Sequence, residues 1–68
     1  MSEAAKLIVD AYVRLKDCQA LEEMREHRLR MRKTLHEKAG GWFDLSRPIR
    51  DCDEELRIVE SGLERLQA

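Results

Sequence analysis

Residues 4–18 read Ala4-Ala-Lys-Leu-Ile-Val-Asp-Ala-Tyr-Val-Arg-Leu-Lys-Asp-Cys18. Nine of the first twelve side chains are apolar, and the three exceptions, Lys6, Asp10 and Arg14, recur at every fourth position. Residues four apart share one face of an α-helix, so these polar groups form a single narrow stripe. A helix wetted along one stripe and apolar elsewhere packs on more than one side. What this segment packs against decides the fold.

The neighbouring sequence supplies one partner. Residues 3–39 contain neither Gly nor Pro, and their Glu, Lys, Arg, Leu, Met and Ala content favours helix. Ser2 is a plausible N-cap and Gly40 a plausible left-handed terminator. Gly40, Gly41 and Pro48 bracket a loop, after which Ser46 is suited to cap a second helix with Pro48 in its first turn. In that helix Ile49, Cys52, Leu56, Val59, Leu63 and Leu66 alternate three- and four-residue steps, a heptad seam. Leu21, Met24, Arg28, Met31 and Leu35 make an equivalent seam in the first helix, with one polar member. Folding at residues 40–46 sets Leu35 level with Cys52, Met31 with Leu56, Met24 with Leu63 and Leu21 with Leu66. Charge agrees: residues 25–38 carry six Lys/Arg against two acids, and residues 51–68 carry six acids against Arg57 and Arg65.

In such a hairpin the second helix ends near residue 67, level with about residue 19, so residues 4–15 would project roughly 20 Å beyond it. The expected architecture is therefore all-α. An antiparallel helical hairpin, with a long helix over about 3–39 and a second over about 47–67, self-associates into a helical bundle, with Leu7, Ile8, Ala11, Tyr12 and Leu15 as the self-assembly surface. The alternative is a three-helix bundle with a break near Asp17. Asp17 can cap a helix, and Leu15, Cys18, Leu21 and Met24 slip to steps of three there. Against the break, no Gly or Pro marks a turn, and the residue three after Asp17 is Ala20 instead of the Glu or Gln of a capping box. A third possibility is an unidentified protein partner over the same surface. In helix count and loop position the outline resembles the small RNA-binding bundles built from two dimerised hairpins. No shared residue motif accompanies that likeness, so it carries no function.

The chain of 68 residues, with 13 Lys/Arg and 14 Asp/Glu, is expected to form one domain over 1–68 with no separate linker. Met1 apart, its twenty large apolar side chains make a small core, another reason to expect oligomerisation. Two cysteines are too few for a disulfide-stapled secreted miniprotein. No apolar run approaches the roughly 20 residues that span a bilayer, and no signal-peptide pattern is present. A cytoplasmic protein without membrane contact is expected.

No catalytic constellation and no cofactor motif stands out, and an enzyme is not expected. His27 and His36 are nine residues apart, too far to chelate a metal as an i, i+4 pair. In the hairpin His36 falls near Asp51 and Cys52, a smaller set than the four ligands of a closed zinc site; no metal site is assigned. Cys18 and Cys52 occupy seam positions and read as small buried hydrophobes. The run from Arg25 to Lys33 holds Arg25, Arg28, Arg30, Arg32 and Lys33, a stripe suited to phosphate contact. No stacking aromatic is interleaved, and the acidic second helix offsets its charge. Arg28, at a seam position, either reaches sideways to Glu55 or Glu60 or extends its guanidinium to water above a packed stem. Trp42 and Phe43, two of three aromatics, sit in the loop, either folded over Leu35, Ala39 and Ile49 or presented to a partner. Together these features suggest a small non-catalytic homodimer working through protein–protein interaction as an adaptor, inhibitor or regulatory subunit, with Trp42 and Phe43 as the outward contact. A nucleic-acid-binding regulator using Arg25–Lys33 is the alternative.

Overall fold

The computed structural model describes residues 2–41 and 44–67. Three helices follow in order, α1 (Ser2–Leu15), α2 (Cys18–Lys38) and α3 (Ser46–Gln67). The all-α helical bundle expected from the sequence is present in its three-helix version. The single helix over 3–39 does not form: the chain turns back at Lys16–Asp17, and residues 4–15 lie along α3 instead of projecting past it.

The turn is made by local chemistry. The amide of Lys16 donates to the Val13 carbonyl and that of Asp17 to the Tyr12 carbonyl, each at 3.0 Å. This is the paired closure of a Schellman motif, in which the residue after the helix takes a left-handed conformation. Here that residue is Lys16, at φ 55°, where Gly is usual and a non-Gly residue costs about 1–3 kcal/mol. The next helix is then started by Asp17, whose Oδ1 accepts from the Ala20 amide at 3.1 Å. One side-chain oxygen satisfies an otherwise orphaned amide, and the missing capping-box partner is not needed.

The other boundaries follow their residues more directly. Gly40 ends α2 with φ 93°, open space around it and the Ala39 amide bonded to the Leu35 carbonyl at 3.0 Å. At the start of α3 the capping side chain is Asp44, not Ser46. Asp44 Oδ1 accepts from the Ser46 amide at 3.0 Å and also from its hydroxyl.

Helix α2 runs antiparallel to α3, as the pairs Arg25–Glu60 and Arg32–Asp53 show. Helix α1 runs parallel to α3 along its C-terminal half, with Val9 against Gly62 and Asp10 against Arg65. Val9, Leu21 and Val59, one from each helix, form the buried centre, and Tyr12, Val13, Met24, Ile58, Leu63 and Leu66 pack around it. Gly62 permits the approach of α1. A Cβ there would stand 2.5 Å from Val9 Cγ1 and 3.4 Å from Val13 Cγ2. Towards the loop, among the described residues, α1 no longer accompanies α2 and α3; Leu35 and Ile49 are part-covered there and Met31 is exposed.

Candidate interaction surface

Helix α1 carries three faces. Ala5 and Val9 are buried, with Tyr12 and Val13 beside them against the core. The polar stripe lies next to α3, where Asp10 Oδ1 accepts from Arg65 Nη2 at 2.9 Å. On the remaining face Ala4, Leu7, Ile8, Ala11 and Leu15 are all exposed, with Leu7 71 %, Ile8 47 % and Leu15 73 % accessible. Folding back thus uses one apolar face of the segment and leaves a second uncovered. Of the five residues expected to drive self-assembly, Leu7, Ile8, Ala11 and Leu15 come together on this stripe, while Tyr12 turns inward. Single exposed leucines are ordinary on soluble proteins, whereas a contiguous apolar row along one helix is uncommon.

The basic run is divided by the packing. Arg25 Nε lies 3.8 Å from Glu60 Oε2, Arg28 Nη2 3.3 Å from Glu55 Oε2, and Arg32 Nε 2.7 Å from Asp53 Oδ1. Arg30 and Lys33 are exposed. Arg28 therefore takes the sideways course to Glu55, in a half-buried position where its Nε is enclosed without a hydrogen-bond partner. Arg25 and Arg32 bridge α2 to α3 in more open surroundings, where such pairs contribute about 0–1 kcal/mol each.

Both cysteines are free. Cys52 is buried, and its Sγ donates to the Arg28 carbonyl at 3.2 Å. Burial, and then the Glu55 carboxylate, push this thiol above its ordinary range, which keeps it protonated and unreactive at neutral pH. Cys18 is raised in the same direction by partial burial and by Glu22, whose Oε1 accepts from its Sγ at 3.6 Å.

Among the described residues, no group of three or more His, Cys, Asp or Glu is placed to hold a metal ion. No helix there is long and apolar enough to cross a membrane. A depression of about 410 Å³ between α2 and α3 is open to solvent and rimmed by Glu22, Glu26, Glu60 and Glu64 around Arg25. Trp42 and Phe43, expected as an outward contact, lie outside the described residues. Gly62 and Lys16, which position α1, were not singled out by sequence reasoning. A lone Gly inside an otherwise unbroken helical seam signals a close helix approach, whereas a lysine carries no mark of left-handed backbone.

By fold the chain is a small three-helix bundle of the all-α class. Comparison with protein-family models, with curated proteins and with solved structures finds no match.

Proposed function

We propose that this chain is a small non-catalytic protein that works through protein–protein contact, and that it assembles with a second copy of itself through the outer stripe of α1. One observation carries the reading. Leu7 and Leu15 are more than two-thirds exposed on one helical face, and the same helix has already spent its other apolar face on Val59 and Gly62. An apolar row of this kind is stabilised by removal from water, at roughly 25 cal/mol per Å². The engagement of Arg25, Arg28 and Arg32 with Glu60, Glu55 and Asp53 weighs against the nucleic-acid alternative. Phosphate would have to displace three carboxylates already in place.

Size exclusion with light scattering tests the proposal. The chain is expected to elute as a dimer whose population falls on dilution, and Leu7→Glu/Leu15→Glu to elute as a monomer with unchanged helical circular dichroism. A monomeric wild-type chain at every concentration overturns it. A gel shift with generic DNA or RNA at about 50 mM salt, where phosphate-driven binding is strong, favours the alternative.

A further inference from the structure

The residues along the exposed stripe also specify how two copies meet. Ala4, Ile8, Ala11 and Leu15 follow one another at steps of four, three and four, a short heptad seam on the outside of α1. Small and large side chains alternate along it. With two such helices parallel and in register, Ala4 meets Ala4 and Leu15 meets Leu15, which leaves gaps at two levels and crowding at the other two. With one helix reversed, Ala4 meets Leu15 and Ile8 meets Ala11, so every level holds one small and one large side chain and packs at uniform density.

Charge selects the same direction. Glu3 and Arg14 lie on one flank of the seam, near its opposite ends. Reversing one copy brings that flank against its own counterpart, with Glu3 of each copy close to Arg14 of the other. Parallel pairing sets this flank against the Tyr12 side and matches no opposite charges.

We infer that two copies pair through an antiparallel α1–α1 contact about a two-fold axis lying between the levels of Ile8 and Ala11, Ala4 of each seated on Leu15 of the other. The inference rests on the homodimer reading above and adds its geometry. The contact is small. A standard interface takes about a tenth of a small protein's surface from each partner, and the whole chain exposes 5401 Å². One helix face of about 21 Å therefore gives an interface at the weak, reversible end of the range.

Single cysteines, introduced in the full chain with Cys18→Ser and with Cys52 left buried, distinguish the arrangements when treated with a short bis-maleimide. Ala11→Cys is expected to self-crosslink, because its two copies flank the axis. Ala4→Cys is expected not to, its copies being separated by about 11 residues of helix, roughly 16 Å. A mixture of Ala4→Cys and Leu15→Cys is expected to give the mixed covalent dimer. Equal self-crosslinking of Ala4→Cys and Ala11→Cys means a parallel pair, which overturns the geometry and leaves the homodimer. Dimers by light scattering without any of these crosslinks place the contact elsewhere and overturn the geometry and the α1 surface together. A monomer throughout removes the homodimer as well.

Discussion

Val9 of α1 rests on Gly62 of α3 so closely that a methyl group added to the glycine would stand 2.5 Å from Val9 Cγ1. Both residues are buried, and the β-branched valine has one strongly preferred rotamer in a helix. The contact therefore has no side-chain freedom with which to accommodate a larger neighbour. Gly62→Ala gains helix propensity of about 0.5–1 kcal/mol but forces α1 outward, an overpacking loss of typically 1–3 kcal/mol. The expected result in urea unfolding is net destabilisation, largely recovered in Gly62→Ala/Val9→Ala relative to the sum of the single changes. Additive effects would mean that the two residues do not share this contact.

The Lys16–Asp17 turn holds opposing contributions that substitution separates. Lys16→Gly relieves the left-handed backbone at φ 55° and is expected to stabilise the chain by about 0.5–1 kcal/mol after the greater unfolded-state freedom of glycine is deducted. Asp17→Ala removes the bond to the Ala20 amide and is expected to cost about 0.5–2 kcal/mol. Thermal unfolding followed by circular dichroism reads both. A lower melting temperature for Lys16→Gly would contradict the turn described above.

Arg28 and Glu55 meet in a half-buried position, with one guanidinium nitrogen left unbonded. Removing only Glu55 strands the charge, whereas replacing both partners with leucine removes the need to desolvate either. Glu55→Leu is expected to destabilise by more than the double change Arg28→Leu/Glu55→Leu, measured by chemical denaturation. The reverse order would show that Arg28 without Glu55 is not a stranded charge, against this account.

Acid is expected to loosen the start of α3. The Asp44 carboxyl is held below its ordinary range by the Ser46 hydroxyl and then by the Ser46 amide. Its lowered value in the folded state favours folding once pH exceeds the unfolded-state value, and that contribution is lost as pH falls through the folded-state one. In a carbon-detected NMR titration Asp44 should titrate below the ordinary aspartate range, and Ser46→Ala should move it upward. Titration of Asp44 at the ordinary position in the wild-type chain counts against the cap.

Much of this arrangement was legible in the sequence. The heptad of Ile49, Cys52, Leu56, Val59, Leu63 and Leu66 is the inward face of α3, and Gly40 ends α2. Opposite charges on residues 25–38 and 51–68 become the Arg25–Glu60, Arg28–Glu55 and Arg32–Asp53 pairs. Apolar periodicity and net charge are properties of the chain itself, so they survive into the fold. The break at Lys16 was not decided by them. Its closure depends on backbone bonds to Tyr12 and Val13 and on burial of Val9 against Gly62, a contact between residues 53 positions apart. The surplus of apolar residues in 4–15 was legible, whereas its division into a core face and an outer face required the position of α3.

The outer face of α1 is tested most directly by amide NMR spectra recorded over a dilution series, with every residue of the helix assigned. The account predicts concentration-dependent shifts concentrated at Ala4, Leu7, Ile8, Ala11 and Leu15, with Val9 and the α2 residues 25–33 nearly still. Spectra that do not change with concentration, or changes centred on Arg25–Lys33, would contradict it.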